Sequence, residues 1–266
     1  MSGIYLSTHK LIRKLGHLAQ RFYVPHEAGD SEQIILYTEV TSYCNNRCTF
    51  CAIDKVKRKG FIKGRVRERV RELISFYPDI KFLVYFHLVG EPLLYDGLED
   101  YIRMLQLPNA ELWVCTNGVL LTDERMKGLQ QAGLKNIWLS MFYTNESDYK
   151  KYVRTDNFKS ASRNLFNLLS KNEMFDKIRI VTFSENADAV KEAIMSKNNV
   201  ILQTSREKDE WSGKSKRNFI CISINGDVCF NWKDYNFDSS IGNICELDSD
   251  IIIKEYDRLR RESLMV

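Results

Sequence analysis

Three cysteines lie within eight residues in the segment Cys44-Asn45-Asn46-Arg47-Cys48-Thr49-Phe50-Cys51. Thiolates are soft ligands that suit iron–sulfur clusters or zinc. A structural zinc site usually has a fourth cysteine or histidine nearby, and the nearest histidines, His26 and His87, lie far from this segment. Three ligands leave one iron of a [4Fe–4S] cluster free to bind a substrate or cofactor. The segment therefore predicts an open cluster held by Cys44, Cys48 and Cys51.

The segments around these cysteines alternate between strand and helix patterns, which predicts a parallel sheet with outer helices. The cysteines follow the first predicted strand, 34–40, and a loop in that position is where α/β folds place their chemistry. Six such units are too few for a closed eight-unit barrel, so the predicted fold class is α/β, a partial (β/α)6 TIM-like barrel. The later predicted strands are 82–86, 112–115, 136–142, 178–183 and 200–204. The predicted helices are 65–76, 98–105, 122–133, 147–153, 158–169 and 187–195.

The pattern changes at both ends of this region. Apolar residues at helical spacing predict an amphipathic helix over 5–23, followed by a linker over 25–30. Near the other end, two apolar runs flank Asn225-Gly226, the strongest two-residue signal for a β-hairpin. A helix over 251–261 is predicted to end the chain. We therefore expect three parts: residues 1–30, a barrel over 31–205 and a small hairpin and helix extension over 206–266.

The spacing Cys-x3-Cys-x-aromatic-Cys, with Phe50 as the aromatic residue, resembles the signature of the radical S-adenosylmethionine (SAM) superfamily. The resemblance implies that the free iron chelates the amino and carboxylate groups of SAM. One electron then cleaves SAM to methionine and a 5′-deoxyadenosyl radical, which abstracts a substrate hydrogen. It also implies an electron donor such as flavodoxin or ferredoxin.

Further segments resemble the same superfamily in order along the chain. Val89-Gly90-Glu91-Pro92 is similar to its Gly-Gly-Glu-Pro motif, with Val89 in place of the first glycine, and Thr116-Asn117-Gly118 follows the third strand. The resemblance places Ser140 on the SAM ribose and Arg154 on the SAM carboxylate, where a guanidinium donates two parallel hydrogen bonds. The implied SAM contacts are Phe50, Gly90, Glu91, Pro92, Asn117, Ser140 and Arg154.

The C-terminal segment resembles the SPASM/twitch extensions of radical SAM enzymes, which hold auxiliary iron–sulfur clusters. The similar stretches are 209–213, Cys221, 225–229 and 241–244, but the residue between Val228 and the next cysteine is missing. Only Cys221, Cys229 and Cys245 are available there, which excludes a two-cluster module. One auxiliary cluster with a fourth ligand from elsewhere, and a cluster-free hairpin, both stay open.

Composition limits the classes of partner. The net charge of +4 is too small to predict a nucleic-acid partner, since such proteins present a clustered basic face. The basic run at 55–59 is either a solvated loop or a site for an anionic substrate or acidic partner. No apolar run has the length of a transmembrane helix, and residues 1–24 lack a signal-peptide pattern, so we expect a cytoplasmic protein.

The expected activity is radical SAM chemistry of the oxidoreductase or epimerase type on a sugar-like or aminocyclitol-like small molecule. A two-electron oxidation would follow if an auxiliary cluster is present. Peptide modification is the first alternative, and RNA modification on the same scaffold is the second. Catalytic candidates are His87, Asp234 and Tyr235, although a structural role is the expected one for each.

Overall fold

The computed structural model describes residues 33–194, 196–205 and 219–264. The predicted helix over 5–23, the linker over 25–30 and the stretch 209–213 lie outside the described residues. Within them, the six alternating units are present, and the prediction of an open, partial-barrel α/β fold is confirmed. No described helix has both the length and the apolar character needed to cross a membrane.

One sheet of nine strands organises the described residues, in the order β6-β5-β4-β3-β2-β1-β7-β8-β9. Strands β1 to β6 pair in parallel. They are β1 Gln33–Thr38, β2 Lys81–Phe86, β3 Ala110–Thr116, β4 Asn136–Ser140, β5 Lys177–Phe183 and β6 Val200–Ser205. The shorter strands β7 Phe219–Ile222, β8 Asp227–Cys229 and β9 Gly242–Asn243 follow.

Helices connect the parallel strands, and a further helix, α7, follows β9. Except for the short polar turn α4, they bury apolar residues at helical spacing. They are α1 Gly64–Phe76, α2 Leu98–Met104, α3 Asp123–Gln131, the single turn α4 Glu146–Asp148, α5 Phe158–Ser170, α6 Ala187–Ile194 and α7 Ser249–Leu264. A π-helical stretch, Tyr149–Val153, continues α4. Thr122 caps α3 as predicted, because its hydroxyl accepts a hydrogen bond from the Arg125 amide at 3.2 Å.

The two faces of the sheet differ in character. Alternate residues such as Leu36, Val84 and Leu139 are buried against the helices and form the main core. We call the opposite face the inner face. It carries a second apolar group that includes Tyr37, Tyr85, Trp113, Cys115 and Trp138. Side chains for chemistry therefore have to come from the inner face or from the loops at the carboxyl ends of the strands.

The C-terminal hairpin continues this sheet. Strand β7 pairs in parallel with β1, with Tyr37 opposite Cys221, while β8 pairs antiparallel with β7 through a turn that contains Gly226 at φ +98°. The hairpin predicted from Asn225-Gly226 is thus present. Its parallel contact with β1 is a long-range pairing that the local pattern does not contain. The three-part division of the chain stays a prediction.

Candidate active site

The cysteine loop follows β1 at the carboxyl edge of the sheet. A β-bridge between Thr41 and Phe61 closes its base, and Cys44, Cys48 and Cys51 are each half-buried. The Thr49 amide donates to the Tyr152 carbonyl at 2.8 Å, and the Arg47 amide donates to the Val153 carbonyl at 3.1 Å. The loop therefore lies against the π-helical segment that follows β4.

Burial controls the state of the three thiols. It raises the pKa of Cys44 to about 12 and also raises the pKa of Cys48 and of Cys51. For Cys48 the neighbouring Cys51 and Cys44 thiols add to the effect, because thiolates this close repel one another. Bound iron reverses both effects, since a cation stabilises thiolates. Three soft donors on one loop fit an iron–sulfur cluster. Among the described residues, no three His, Cys, Asp or Glu side chains are grouped to hold a single metal ion.

Glu91 connects the ends of β2 and β3. Its carboxylate, only 2% exposed, accepts hydrogen bonds from the Leu93 amide at 3.1 Å, the Thr116 hydroxyl at 2.7 Å and the Asn117 amide at 2.8 Å. Burial raises its pKa to about 7, while these hydrogen bonds favour the charged form. By fixing Asn117, Glu91 orders the end of β3 beside the cysteine loop.

Asn117 reaches the cysteine loop directly. Its side-chain amide donates to the Asn45 side-chain oxygen at 2.7 Å and lies 3.8 Å from the Cys44 sulfur. The backbone amide of Asn46 also donates to that sulfur, at 3.4 Å. Hydrogen bonds to a thiolate stabilise its charge and tune a bound cluster.

Gly90 allows the β2 loop to pack closely against the cysteine loop. A Cβ atom at this position would lie 2.0 Å from the Thr41 carbonyl oxygen and 2.9 Å from that of Tyr43. The next amide, that of Glu91, donates to the same Tyr43 carbonyl at 2.8 Å. Close backbone approach therefore requires the glycine, which the sequence analysis did not predict, while Pro92 begins a buried 3-10 turn.

A polar cluster that the sequence did not predict holds the cysteine loop from the other side. The side chain of Asn46, which is buried, donates to the Tyr149 hydroxyl at 3.2 Å and accepts from Thr155 and Asn157, each at 3.1 Å. Asn157 also donates to the Asn45 carbonyl at 3.1 Å. The only sequence signal for these residues is their proximity to the motif residues in the chain.

The remaining predicted SAM contacts are Phe50, Ser140 and Arg154. Phe50 packs edge-on against Phe142 and Phe183, with ring centroids 5.0 and 5.3 Å apart. Ser140 ends β4. Arg154 is exposed and ends the π-helical stretch in the left-handed region at φ 62°, which is uncommon for a residue with a Cβ. Arg154 therefore presents its side chain next to the segment that binds the cysteine loop.

The catalytic candidates have structural surroundings. Asp234 accepts hydrogen bonds from the Asp238 amide and from the amide and hydroxyl of Ser239, between 2.6 and 2.9 Å. Tyr235 packs with Cys44 and Cys51 in a small apolar group. His87 follows β2, and burial lowers its pKa to about 4. Its Nδ1 atom is buried without a partner among the described residues.

The three C-terminal cysteines are not all together. Cys221 and Cys229 are opposite one another in the hairpin, and both are fully buried. Cys245 packs instead with the helix-side core, and its carbonyl accepts from Arg65 at 3.2 Å. The auxiliary cluster stays a prediction, with two of its three proposed ligands adjacent.

Of the four cationic residues in the basic run at 55–59, Arg58 alone is not exposed. Arg58 forms two hydrogen bonds of 2.5 Å with Glu39, and the side chains of the pair are 8% and 1% exposed. The guanidinium also donates to the Tyr235 carbonyl and lies over the Phe237 ring at 4.9 Å. Phe237 itself has φ 60°, an outlier for an aromatic residue. Arg58 thus joins the cysteine loop, β1 and the C-terminal extension.

Comparisons with known proteins agree with this geometry. A family model described as Radical SAM superfamily matches residues 38–196, more than half of the chain. The S-adenosyl-L-methionine-dependent 2-deoxy-scyllo-inosamine dehydrogenase of Niallia circulans is 26% identical over 220 residues, covering 80% of this chain and 78% of the relative. The matches to two other curated relatives cover only 30% and 38% of those relatives' own lengths.

Two solved structures share the fold. BtrN in complex with AdoMet and 2-DOIA has a TM-score of 0.59 and 18% identity, covering 87% of this chain and 88% of that one. Native anSMEcpe with bound AdoMet and a Cp18Cys peptide has a TM-score of 0.64 and 17% identity, covering 88% of this chain and 84% of that one. Both are SPASM/twitch-type radical SAM enzymes.

Proposed function

The chain belongs to the radical SAM superfamily, and from that premise we propose that Cys44, Cys48 and Cys51 hold its [4Fe–4S] cluster. When bound, the cluster and SAM supply a 5′-deoxyadenosyl radical that removes a hydrogen atom from the substrate. The substrate is a hydroxylated small molecule of the sugar or aminocyclitol class. A reduced flavodoxin or ferredoxin supplies the electron.

One observation carries this proposal: the cysteine loop is hydrogen-bonded to the end of β3 and closely packed on the end of β2. Asn117 donates to the loop, Glu91 fixes Asn117, and Gly90 permits the backbone contact. Three of the proposed SAM residues, Gly90, Glu91 and Asn117, therefore lie beside the loop that carries the thiols. There Arg154 would pair with the SAM carboxylate and Ser140 would bind the ribose.

Support for a small molecule comes from the relative covered over most of its length, which is named as a dehydrogenase of 2-deoxy-scyllo-inosamine. The solved BtrN complex, named with AdoMet and 2-DOIA, matches 87% of this chain. Oxidation of an alcohol carbon to a carbonyl is then the expected outcome, with the second electron leaving through an auxiliary cluster or an external acceptor.

The test uses anaerobically reconstituted protein, dithionite, SAM and a panel of polyols deuterated at carbon. Transfer of deuterium into 5′-deoxyadenosine identifies the substrate class by mass spectrometry. The variant Cys44→Ala/Cys48→Ala/Cys51→Ala is the control for non-enzymatic cleavage. Cleavage of SAM without deuterium from any polyol would leave the cofactor chemistry intact and contradict the proposed substrate class.

A peptide substrate is the second candidate, favoured by the match to anSMEcpe solved with a peptide. Deuterated peptides in the same assay distinguish the two candidates. Transfer from a peptide serine or cysteine, with none from polyols, would select peptide modification.

A further inference from the structure

The inner face carries a cation between two aromatic rings. Arg179, on β5, is half-buried, and its guanidinium carbon lies 4.9 Å from the ring centroid of Trp113 and 5.0 Å from that of Trp138. One of its nitrogens is 3.5 Å from the Tyr85 hydroxyl. Stacked indoles hold a guanidinium plane in place and leave its edge available for hydrogen bonds.

This cation has no carboxylate partner among the described residues. Glu111, two positions before Trp113 on β3, is already paired with Lys81 at 2.9 Å and Lys177 at 3.0 Å. It also accepts a hydrogen bond from the Trp113 indole at 3.0 Å. A partly buried charge normally has a counter-charge, because removal from water is costly. No described carboxylate therefore neutralises Arg179, and the edge of its guanidinium is a candidate contact for an anion.

The surrounding groups add no negative charge. Burial raises the pKa of Tyr37, Tyr85 and Cys115, so all three are neutral near neutral pH. The indole N–H of Trp138, whose ring centroid lies 5.0 Å from the guanidinium carbon, is buried and lacks a hydrogen-bond partner in the described part of the chain. The inner face, which is separate from the helix-packed core, thus carries the positive charge of Arg179 and an indole N–H without a described partner.

We propose that Arg179, held between Trp113 and Trp138, binds a carboxylate or phosphate group of the substrate. This inference rests on the proposed function and narrows the proposed substrate class to sugars or polyols that carry a carboxylate or phosphate. An aminocyclitol without an acidic group would instead place an ammonium group near the guanidinium, and the two positive charges would repel each other. Ser140 lies two residues beyond Trp138 on the same strand face, toward the cysteine loop. An anion at Arg179 would thus anchor one end of a substrate whose other end extends toward SAM.

The test measures binding to reconstituted, SAM-loaded protein by calorimetry and by quenching of tryptophan fluorescence. The probes are inorganic phosphate, glucose 6-phosphate, gluconate and neutral glucose. Arg179→Gln should weaken binding of the anionic sugars about ten- to a hundredfold, the range expected for a hydrogen-bonded charge. Arg179→Lys should recover part of the affinity, since it keeps the charge without the planar fork. The exposed Arg103→Gln is the matched control.

Saturable binding of an anionic sugar that is lost in Arg179→Gln and kept in Arg103→Gln supports the inference. Equal affinity for glucose and the anions, no anion binding by the wild type, or full affinity in Arg179→Gln would overturn it. SAM cleavage by dithionite without substrate is measured in parallel. If the wild type cleaves SAM yet shows no anion binding, only this inference fails, whereas absence of cleavage counts against the proposed function itself.

Discussion

At the scale of single residues, the candidate site contains buried polar side chains that form several hydrogen bonds with neighbouring side chains and backbone amides. Glu91 satisfies three donors with one carboxylate, and Asn46 both donates and accepts within a cluster. Removing one partner from such a group leaves the others unsatisfied, which costs more than the bond itself contributes.

Replacement of Glu91 by Gln should destabilise the protein by about 1–3 kcal/mol, because an amide N–H2 would face one of the three donors. Asn117 should then lose its fixed position, and iron incorporation should fall. Urea unfolding and iron analysis measure both effects. The exposed Glu68→Gln, on α1, is the control and should change neither. Unchanged stability in Glu91→Gln would show that the three hydrogen bonds do not order this edge.

His87 should make stability depend on pH. Burial lowers its pKa to about 4, below its value of 6.5 in the unfolded chain, so the unfolded state binds more protons between these values. Stability is therefore fully present above pH 6.5 and falls as pH decreases, by up to about 3 kcal/mol near pH 4. Urea unfolding of His87→Gln should show a smaller loss over that range. An identical pH profile in the variant would mean that His87 is hydrated or paired.

Residue types and spacing predicted the cysteine loop, the Gly90-Glu91-Pro92 segment and Asn117, because each belongs to a short motif of neighbouring residues in the sequence. They did not predict Asn157, Arg58 or Arg179. Those residues make their contacts only when segments far apart in the chain come together. From the sequence alone, a single Asn or Arg is expected to lie on the surface.

At the scale of elements, two loops at the carboxyl edge pack with no space between their backbones. Gly90 should therefore not tolerate a side chain. Gly90→Ala should cost about 1–3 kcal/mol through overpacking, and the shift of the cysteine loop should lower the yield of iron per chain. Thermal unfolding and iron content measure these effects.

The control for that substitution is Gly64→Ala at the start of α1, where the nearest heavy atom to an added Cβ is 3.9 Å away. It should lower neither quantity, and it should raise stability slightly if it has any effect, because alanine favours a helix more than glycine does. Equal behaviour of the two variants would contradict the close packing of the loops.

Most strands and helices were predictable because hydrophobic periodicity is local. The hairpin was predictable for the same reason, from Asn225-Gly226. Its parallel pairing with β1 was not, since Tyr37 and Cys221 are 184 positions apart and no local pattern specifies the partner of an edge strand.

At the scale of the whole described unit, the Glu39–Arg58 pair joins the cysteine loop to the C-terminal extension. Arg58→Ala should destabilise the protein by about 3–5 kcal/mol, because it leaves the Glu39 carboxylate buried without its cation. Lys57→Ala, in the same run but with a side chain that is 79% exposed, should have almost no effect. Unfolding by urea measures both. A small effect of Arg58→Ala, equal to that of Lys57→Ala, would show that the extension is held by other contacts.

The most direct test of the central claim is the yield of 5′-deoxyadenosine from SAM under dithionite reduction, with iron and sulfide measured on the same samples. For the wild type, the account predicts bound iron and formation of 5′-deoxyadenosine. For Cys44→Ala/Cys48→Ala/Cys51→Ala, it predicts loss of the cluster held by the cysteine loop and loss of SAM cleavage. Iron that survives in the variant without cleavage would locate an auxiliary cluster on the C-terminal cysteines. An iron-loaded, reduced wild type that forms no 5′-deoxyadenosine, or a variant that forms it equally well, would contradict the account.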